Sequence, residues 1–212
     1  MWVVKLGGSF ARSDELPRWL AVAAAAGAGK IVLVPGGGPW ADEVRAAQKR
    51  ERFDDRVAHG MALRAMERYG HLLCSMQAGL VPACTAPEIH AVLERGQVPV
   101  WMPYEMALAD PSIPQSWNVT SDSLAAWLAR QMDASALLLV KSVAISTTKL
   151  SLPALTDRGW VDAAFGDFVA GARYAVCLLG RGRQDRLARM LCDPAAIPPA
   201  PDDAHLPGIA VI

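Results

Sequence analysis

A chain of 212 residues has room for one substantial domain and is short for two. Its 52% hydrophobic content excludes a disordered polymer, and 21 basic against 21 acidic side chains supply no general field for nucleic acid or an anionic membrane. The four cysteines (Cys74, Cys84, Cys177, Cys192) form no CxxC pair and read as reduced thiols. The N-terminus lacks a basic stretch followed by an apolar one, so a cytoplasmic protein is expected.

The elements alternate along the chain. "WVVKL" and "KIVLV" are short β-branched runs suited to strands buried on both faces. Between them Asp14 to Ala28 reads as a helix, with Ser13 or Asp14 as cap and Gly27 and Gly29 as its stop. "WADEVRAAQKR" is amphipathic at helical spacing, and Val57 to Ala78 continues helically. "EIHAVLERG" is a further helix, leading into "VPVWMP" as a strand. "YEMALADPSIPQSW", with two prolines, reads as a loop crossing toward a site. "TSDSLAAWLARQM" is a capped helix, while "SALLLVKSV" and "RYAVCLL" are later strands. The proline-rich "CDPAAIPPAPDDAHLPG" reads as irregular, before a short apolar "IAVI". Strand and helix in alternation predict an α/β fold: a three-layer αβα sandwich around an open, mainly parallel sheet.

Two glycine loops follow the first two strands, "KLGGS" and "PGGGPW". In a parallel sheet both emerge at the carboxyl edge, where open α/β folds bind ligands. Glycines let backbone N–H groups approach an anion, and the helix start behind each loop adds partial positive charge. The P-loop pattern GxxxxGK[ST] is absent. Gly36, Gly38 and Ala41 stand in G-x-G-x-x-A register, which keeps an NAD-dependent oxidoreductase open as an alternative. A third polar stretch, Asn118, Thr120, Ser121, Asp122 and Ser123, enters an apolar helix and exceeds what one cap needs. Its Asp122 could hold Lys5 by a charge-assisted hydrogen bond and aim the ammonium at a phosphate. His71 and Cys74, three apart on one helix, read as packing, and no metal ligand is assigned.

"VVKLGGS", "VLVPGGGPWADEVR" and "WNVTSDSLAAWLA" together resemble the amino-acid kinase superfamily. The resemblance implies that Lys5 is catalytic, with Gly7, Gly8 and Ser9 cradling the nucleotide's phosphates. It further implies that Gly36, Gly37 and Gly38 border the phosphoryl acceptor, that Asn118, Thr120 and Ser121 face it, and that Asp122 orients Lys5. "SWNVTSDS", "GWVDAAF", "LLGRG" and the compact size are similar to a short branch of that superfamily, the methanofuran-biosynthesis kinases. His59 falls where that branch has a histidine, implying a substrate contact. The implied reaction is ATP-dependent, with Mg2+ brought by the nucleotide, and converts (5-(aminomethyl)furan-3-yl)methyl phosphate to its diphosphate. Trp40 and Trp117 flank the acceptor loops and could stack on a furan ring.

Where the superfamily has a "VDG" turn, this chain reads "KSVAIST", with Ala144 and Ile145 replacing aspartate and glycine. Lys141 is assigned to nucleotide binding beside that turn. The second lysine of amino-acid-phosphorylating members has no evident counterpart, and Lys149 is a candidate. A single domain is expected, about 1–135 carrying the acceptor and phosphate loops and about 136–212 a reduced nucleotide-binding part. The expected partners are ATP, a small phosphate substrate and further copies of the chain. A non-catalytic nucleotide or oxyanion-binding relative of the same fold, and a kinase for another small phosphate or carboxylate, are the alternatives within the family.

Overall fold

The computed structural model describes residues 1–145, 149–193 and 209–211, with Lys149 and 209–211 as backbone only. β1 (Trp2–Leu6) leads through a 3-10 turn (Gly8–Arg12) and α1 (Leu16–Ala26) to β2 (Ile31–Pro35). α2 (Gly38–Glu51) and α3 (Asp55–Met76) follow, separated where Arg52 takes a left-handed conformation and Asp54 caps the second helix by accepting from Val57 N. Then come β3 (Leu80–Ala83), α4 (Ala86–Glu94), β4 (Val98–Trp101), α5 (Tyr104–Ala109) and α6 (Ser121–Gln131). β5 (Ala136–Val140), β6 (Lys149–Leu150), α7 (Leu152–Asp157), α8 (Phe165–Val169), β7 (Ala175–Leu179), α9 (Gln184–Cys192) and β8 (Ile209–Val211) complete the described residues.

The strands form one sheet in the order β3-β4-β2-β1-β5-β7-β8-β6. Every pairing is parallel except the antiparallel one between β6 and β8. The open, mainly parallel sheet expected from the alternation is therefore present. Alternate residues of each central strand feed two separate cores. Val3, Val32, Leu137 and Val176 enter the core under α6, whereas Val4, Leu33, Leu138 and Cys177 enter the one under α1 and α9. This division explains the uninterrupted apolar runs, because a strand covered on both faces has no solvent side to leave polar.

Two expectations change. The stretch expected as a loop from Tyr104 begins with a helical turn, α5, whose Ala107 is buried; Tyr-Glu-Met-Ala-Leu-Ala contains no breaker until Pro111. The first helix starts at Leu16, after the proposed caps, and its cap position is Glu15. The Glu15 carboxylate instead reaches the later loop, accepting from Arg181 Nε at 2.8 Å, Gly182 N at 3.2 Å and Gln184 Nε2 at 3.1 Å. The irregular tail falls almost wholly outside the described residues, while 209–211 of "IAVI" form β8. No helix among the described residues is long and apolar enough to cross a membrane.

Candidate active site

The sheet order reverses at β1: β2 lies on one side of it and β5 on the other. Open α/β sheets bind ligands in the crevice outside the carboxyl ends at such a switch point. Side chains alternate across a strand, so Lys5 shares the face of Val3 and Lys141 the face of Leu137 and Leu139. The register sets Lys5 opposite Leu139, which brings Lys141 to the same edge and the same face one strand away. α6 packs on that face and starts there, with Asp122 in its first turn.

The result is a shared ion pair. Lys5 Nζ lies 2.8 Å and Lys141 Nζ 2.7 Å from the same oxygen, Asp122 Oδ1. Lys5 and Asp122 are each only 5% exposed. Burial alone pushes the Asp122 carboxyl up, but the Lys141 and Lys5 ammonium groups more than offset it, holding the group below the ordinary carboxylate value. Burial brings Lys141 down to about 8; the Asp122 charge opposes that fall and the like charge of Lys5 adds to it. Two ammonium groups against one carboxylate leave a net positive charge at the switch point, an arrangement suited to an anion.

The two glycine loops press against one another. A Cβ on Gly8 would sit 2.1 Å from Gly38 N, and one on Gly36 would sit 2.3 Å from Gly8 N. Gly38 also has a φ of +56°, which favours glycine. Glycine at 8 and 36 is thus demanded by loop-to-loop contact before any ligand is considered. Among the described residues, the N–H groups of Gly8, Ser9 and Gly38 donate to no carbonyl. Ser9 Oγ and Ser142 Oγ, 2.7 Å apart, tie the β1 loop to the β5 loop.

These loops, α2, α3 and the start of α6 enclose a cavity of about 510 Å³. Lys5, Gly7, Gly8, Ser9, Gly37, Gly38, His59, Thr120, Ser121, Asp122 and Lys141 line it. Gly36 and Asn118 do not. Gly36 is spent in the contact with Gly8, and Asn118 is exposed, its carbonyl accepting from Ala164 N at 3.0 Å. Trp40 is likewise turned away, packing 5.8 Å from Tyr69 with Arg68 over its ring. Trp117 does face the cavity; Arg45 covers its ring at 4.2 Å, and its Nε1 donates to Gln48 Oε1 at 2.6 Å. His59 is 4% exposed and its Nε2 has no partner among the described residues. Burial lowers its pKa, opposed by a hydrogen bond with the Ser116 backbone, so the ring is neutral at pH 7. The side chain of Lys149 lies outside the described residues, and the lysine that joins Lys5 on Asp122 is Lys141.

Among the lining residues to which the sequence reading gives no role are Arg12, Arg45 and Trp160. Arg45 carried a signal, since Gly38, Ala41, Asp42 and Arg45 recur at the helical period and form the α2 face toward the cavity. Arg12 ends the 3-10 turn and Trp160 lies in an irregular segment, and neither carries such a signal. Asp42 is occupied by Arg45 at 3.3 Å and Asp122 by the lysines, and no group of three His, Cys, Asp or Glu among the described residues could hold a metal.

The amino acid kinase family matches residues 1–148, well over half of the chain, and the match contains both glycine loops, Asp122 and Lys141. The chain belongs to the amino acid kinase family. Membership removes the basis for the oxidoreductase alternative. A relative from Methanocaldococcus jannaschii, [5-(aminomethyl)furan-3-yl]methyl phosphate kinase, is 27% identical over 145 residues, which are 68% of this chain and 66% of that protein. Among solved structures, uridylate kinase from Archaeoglobus fulgidus superposes with a TM-score of 0.65 at 13% identity, over 91% of this chain and 95% of that one. UMP kinase from Bacillus anthracis gives 0.62 at 14% identity, over 96% of each chain. These two structures show that the amino acid kinase fold runs through the chain beyond residue 148.

Proposed function

We propose that this protein is a small-molecule phosphotransferase that moves the γ-phosphoryl group of ATP to a phosphomonoester. The acceptor in this reading is [5-(aminomethyl)furan-3-yl]methyl phosphate and the product its diphosphate. The observation that carries it is the pair of lysines on one Asp122 oxygen at the mouth of two glycine loops. Phosphoryl transfer asks the protein for positioning and charge stabilisation more than for covalent chemistry. An oxygen of the acceptor phosphate bonds to the γ-phosphorus, the bond to the β–γ bridging oxygen breaks, and ADP leaves with that electron pair. The acceptor is already anionic at pH 7, so no general base is needed.

Lys5, Lys141 and the N–H groups of Gly8 and Ser9 would hold the phosphoryl oxygens. Magnesium would arrive on the nucleotide, because both carboxylates lining the cavity are neutralised by lysine or arginine. The segment from about 136 onward serves the nucleotide in this reading. The replaced "VDG" turn is still anchored there, with Arg181 N donating to Val143 O at 2.8 Å and Ile145 buried.

The acceptor side is the wall formed by Arg12, Arg45, His59 and Trp117. Arg12 brings positive charge to this wall, and Arg45 is shared with Asp42 at 3.3 Å. The unpartnered His59 Nε2 and the Trp117 ring suit a short, flat body between them. This reading is tested by kcat/KM for the furan phosphate, uridine monophosphate and isopentenyl phosphate, with product identified by mass spectrometry. The furan phosphate should lead by at least about 100-fold, and His59→Ala should raise its KM about 10-fold while leaving the KM for ATP unchanged. Turnover confined to another of the three would replace the acceptor and keep the reaction class. Exposed Val57 and Met61 on α3 support self-association, which sedimentation would measure.

A further inference from the structure

We infer that Asp162 positions the catalytic centre, by clamping the start of α6 on both sides of Asp122. Thr120 occupies the cap position of α6, yet its hydroxyl makes no capping bond to its own helix. It donates instead to Asp162, which lies between α7 and α8. Asp162 Oδ2 accepts from Thr120 Oγ1 at 2.8 Å, Thr120 N at 3.0 Å and Ser123 N at 3.1 Å. Its Oδ1 accepts from Ser123 Oγ. One carboxylate from 40 residues downstream thus replaces the local cap and stands at the positive end of the helix.

The placement has a consequence for the lysines. Asp122 lies between the two clamped residues and must present one oxygen within 2.8 Å of two ammonium groups. Helix first turns fray when their free N–H groups lose a partner, and a fraying turn carries Asp122 with it. Asp162 makes no contact with the lysines in the structure; it acts through the backbone of 120–123. A second bond fixes the same segment, Ala164 N donating to Asn118 O at 3.0 Å. Trp160, two residues before Asp162, lines the cavity, so clamp and cavity wall are one segment.

The functional part of this inference rests on the phosphotransferase reading, but its structural part can be measured without turnover. The 13C-methylene resonances next to Nζ report the titration of Lys141 in the ligand-free protein, where Lys5 of β1 and Asp122 of α6 are the charged groups facing it. Asp162→Asn removes the charge and keeps a group able to hydrogen bond at every contact; Asp162→Ala removes both. In the alanine variant the Lys141 midpoint should fall by about half a unit more than in the asparagine variant, as the ammonium loses its carboxylate. The alanine variant should also lose about 30-fold in kcat with the KM for ATP within about threefold, and the asparagine variant should stay within about threefold of wild type. A folded Asp162→Ala protein with a wild-type Lys141 titration would overturn the inference, whatever its activity. If that variant does not fold, Thr120→Val combined with Ser123→Ala removes the two hydroxyl contacts alone. That protein should then show a downward shift of the Lys141 midpoint, and an unchanged midpoint would overturn the inference. If wild type turns over none of the acceptors, the phosphotransferase reading falls, and the titrations still decide the role of Asp162.

Discussion

Replacing Lys5 with methionine is expected to lower kcat about 10³-fold while leaving the melting temperature within a few degrees of wild type. The size follows from where the ammonium sits. Lys5 is buried on β1 at the switch point of the sheet, and water does not screen it. In the proposed reaction its charge would meet the phosphoryl group in a site already arranged for it, so its loss would be felt mainly in the transition state rather than in binding. Methionine keeps the length and the packing of the stem, and Asp122 keeps Lys141 as a partner, so the fold survives the change. Steady-state kinetics beside a circular-dichroism melt separates the two effects. A kcat within threefold of wild type would remove Lys5 from the chemistry.

Lys141 should behave differently from Lys5 in one respect. Lys141→Met is expected to cost at least about 100-fold in kcat and yet to leave the protein as stable as wild type or more so. The sign follows from its titration. Burial brings Lys141 down to about 8 in the folded protein, below its unfolded value, so the fold favours the neutral amine. Holding it charged at pH 7 therefore costs stability, and that cost diminishes as pH rises from about 8 toward the unfolded value. Removing the group removes the cost, an instance of activity held at the expense of stability. The same titration gives wild type a pH profile: kcat should be flat below neutrality and fall on the alkaline side with a midpoint near 8, as the ammonium is lost. Bound phosphates would move that midpoint upward by adding negative charge beside the amine. A profile flat to pH 9.5, together with a fully active methionine variant, would exclude Lys141 from the site.

Much of this site was legible as chemistry and little of it as geometry. The glycine loops, Lys5 and Asp122 announce themselves by residue type and by their place after strands or ahead of a helix. The partnership of Lys141 with Asp122 does not, because it depends on the parallel register of β1 with β5 across more than 130 residues. Without that register Lys141 is a strand-end lysine near a missing turn, which points it to the nucleotide and leaves Lys149 as the candidate second lysine. Asp162 was equally hidden: its segment was recognised as "GWVDAAF", but nothing local says that a carboxylate there caps a helix 40 residues earlier. Gly36 and Asn118 show the opposite case. Their residue types suit a binding loop, but one is consumed by packing against the neighbouring loop and the other faces solvent. The sheet itself was easier, since runs such as "ALLLV" with glycine and helix signals around them have few alternatives.

The most direct test of the central claim is a 31P NMR time course of the purified protein with magnesium, ATP and [5-(aminomethyl)furan-3-yl]methyl phosphate. The account predicts that the phosphomonoester resonance disappears while two mutually coupled diphosphate doublets and ADP grow in equal amounts, and that Lys5→Met abolishes the change. An unchanged spectrum across that substrate, uridine monophosphate and isopentenyl phosphate, from protein shown to bind ATP, would contradict it and leave a binding protein with a kinase fold.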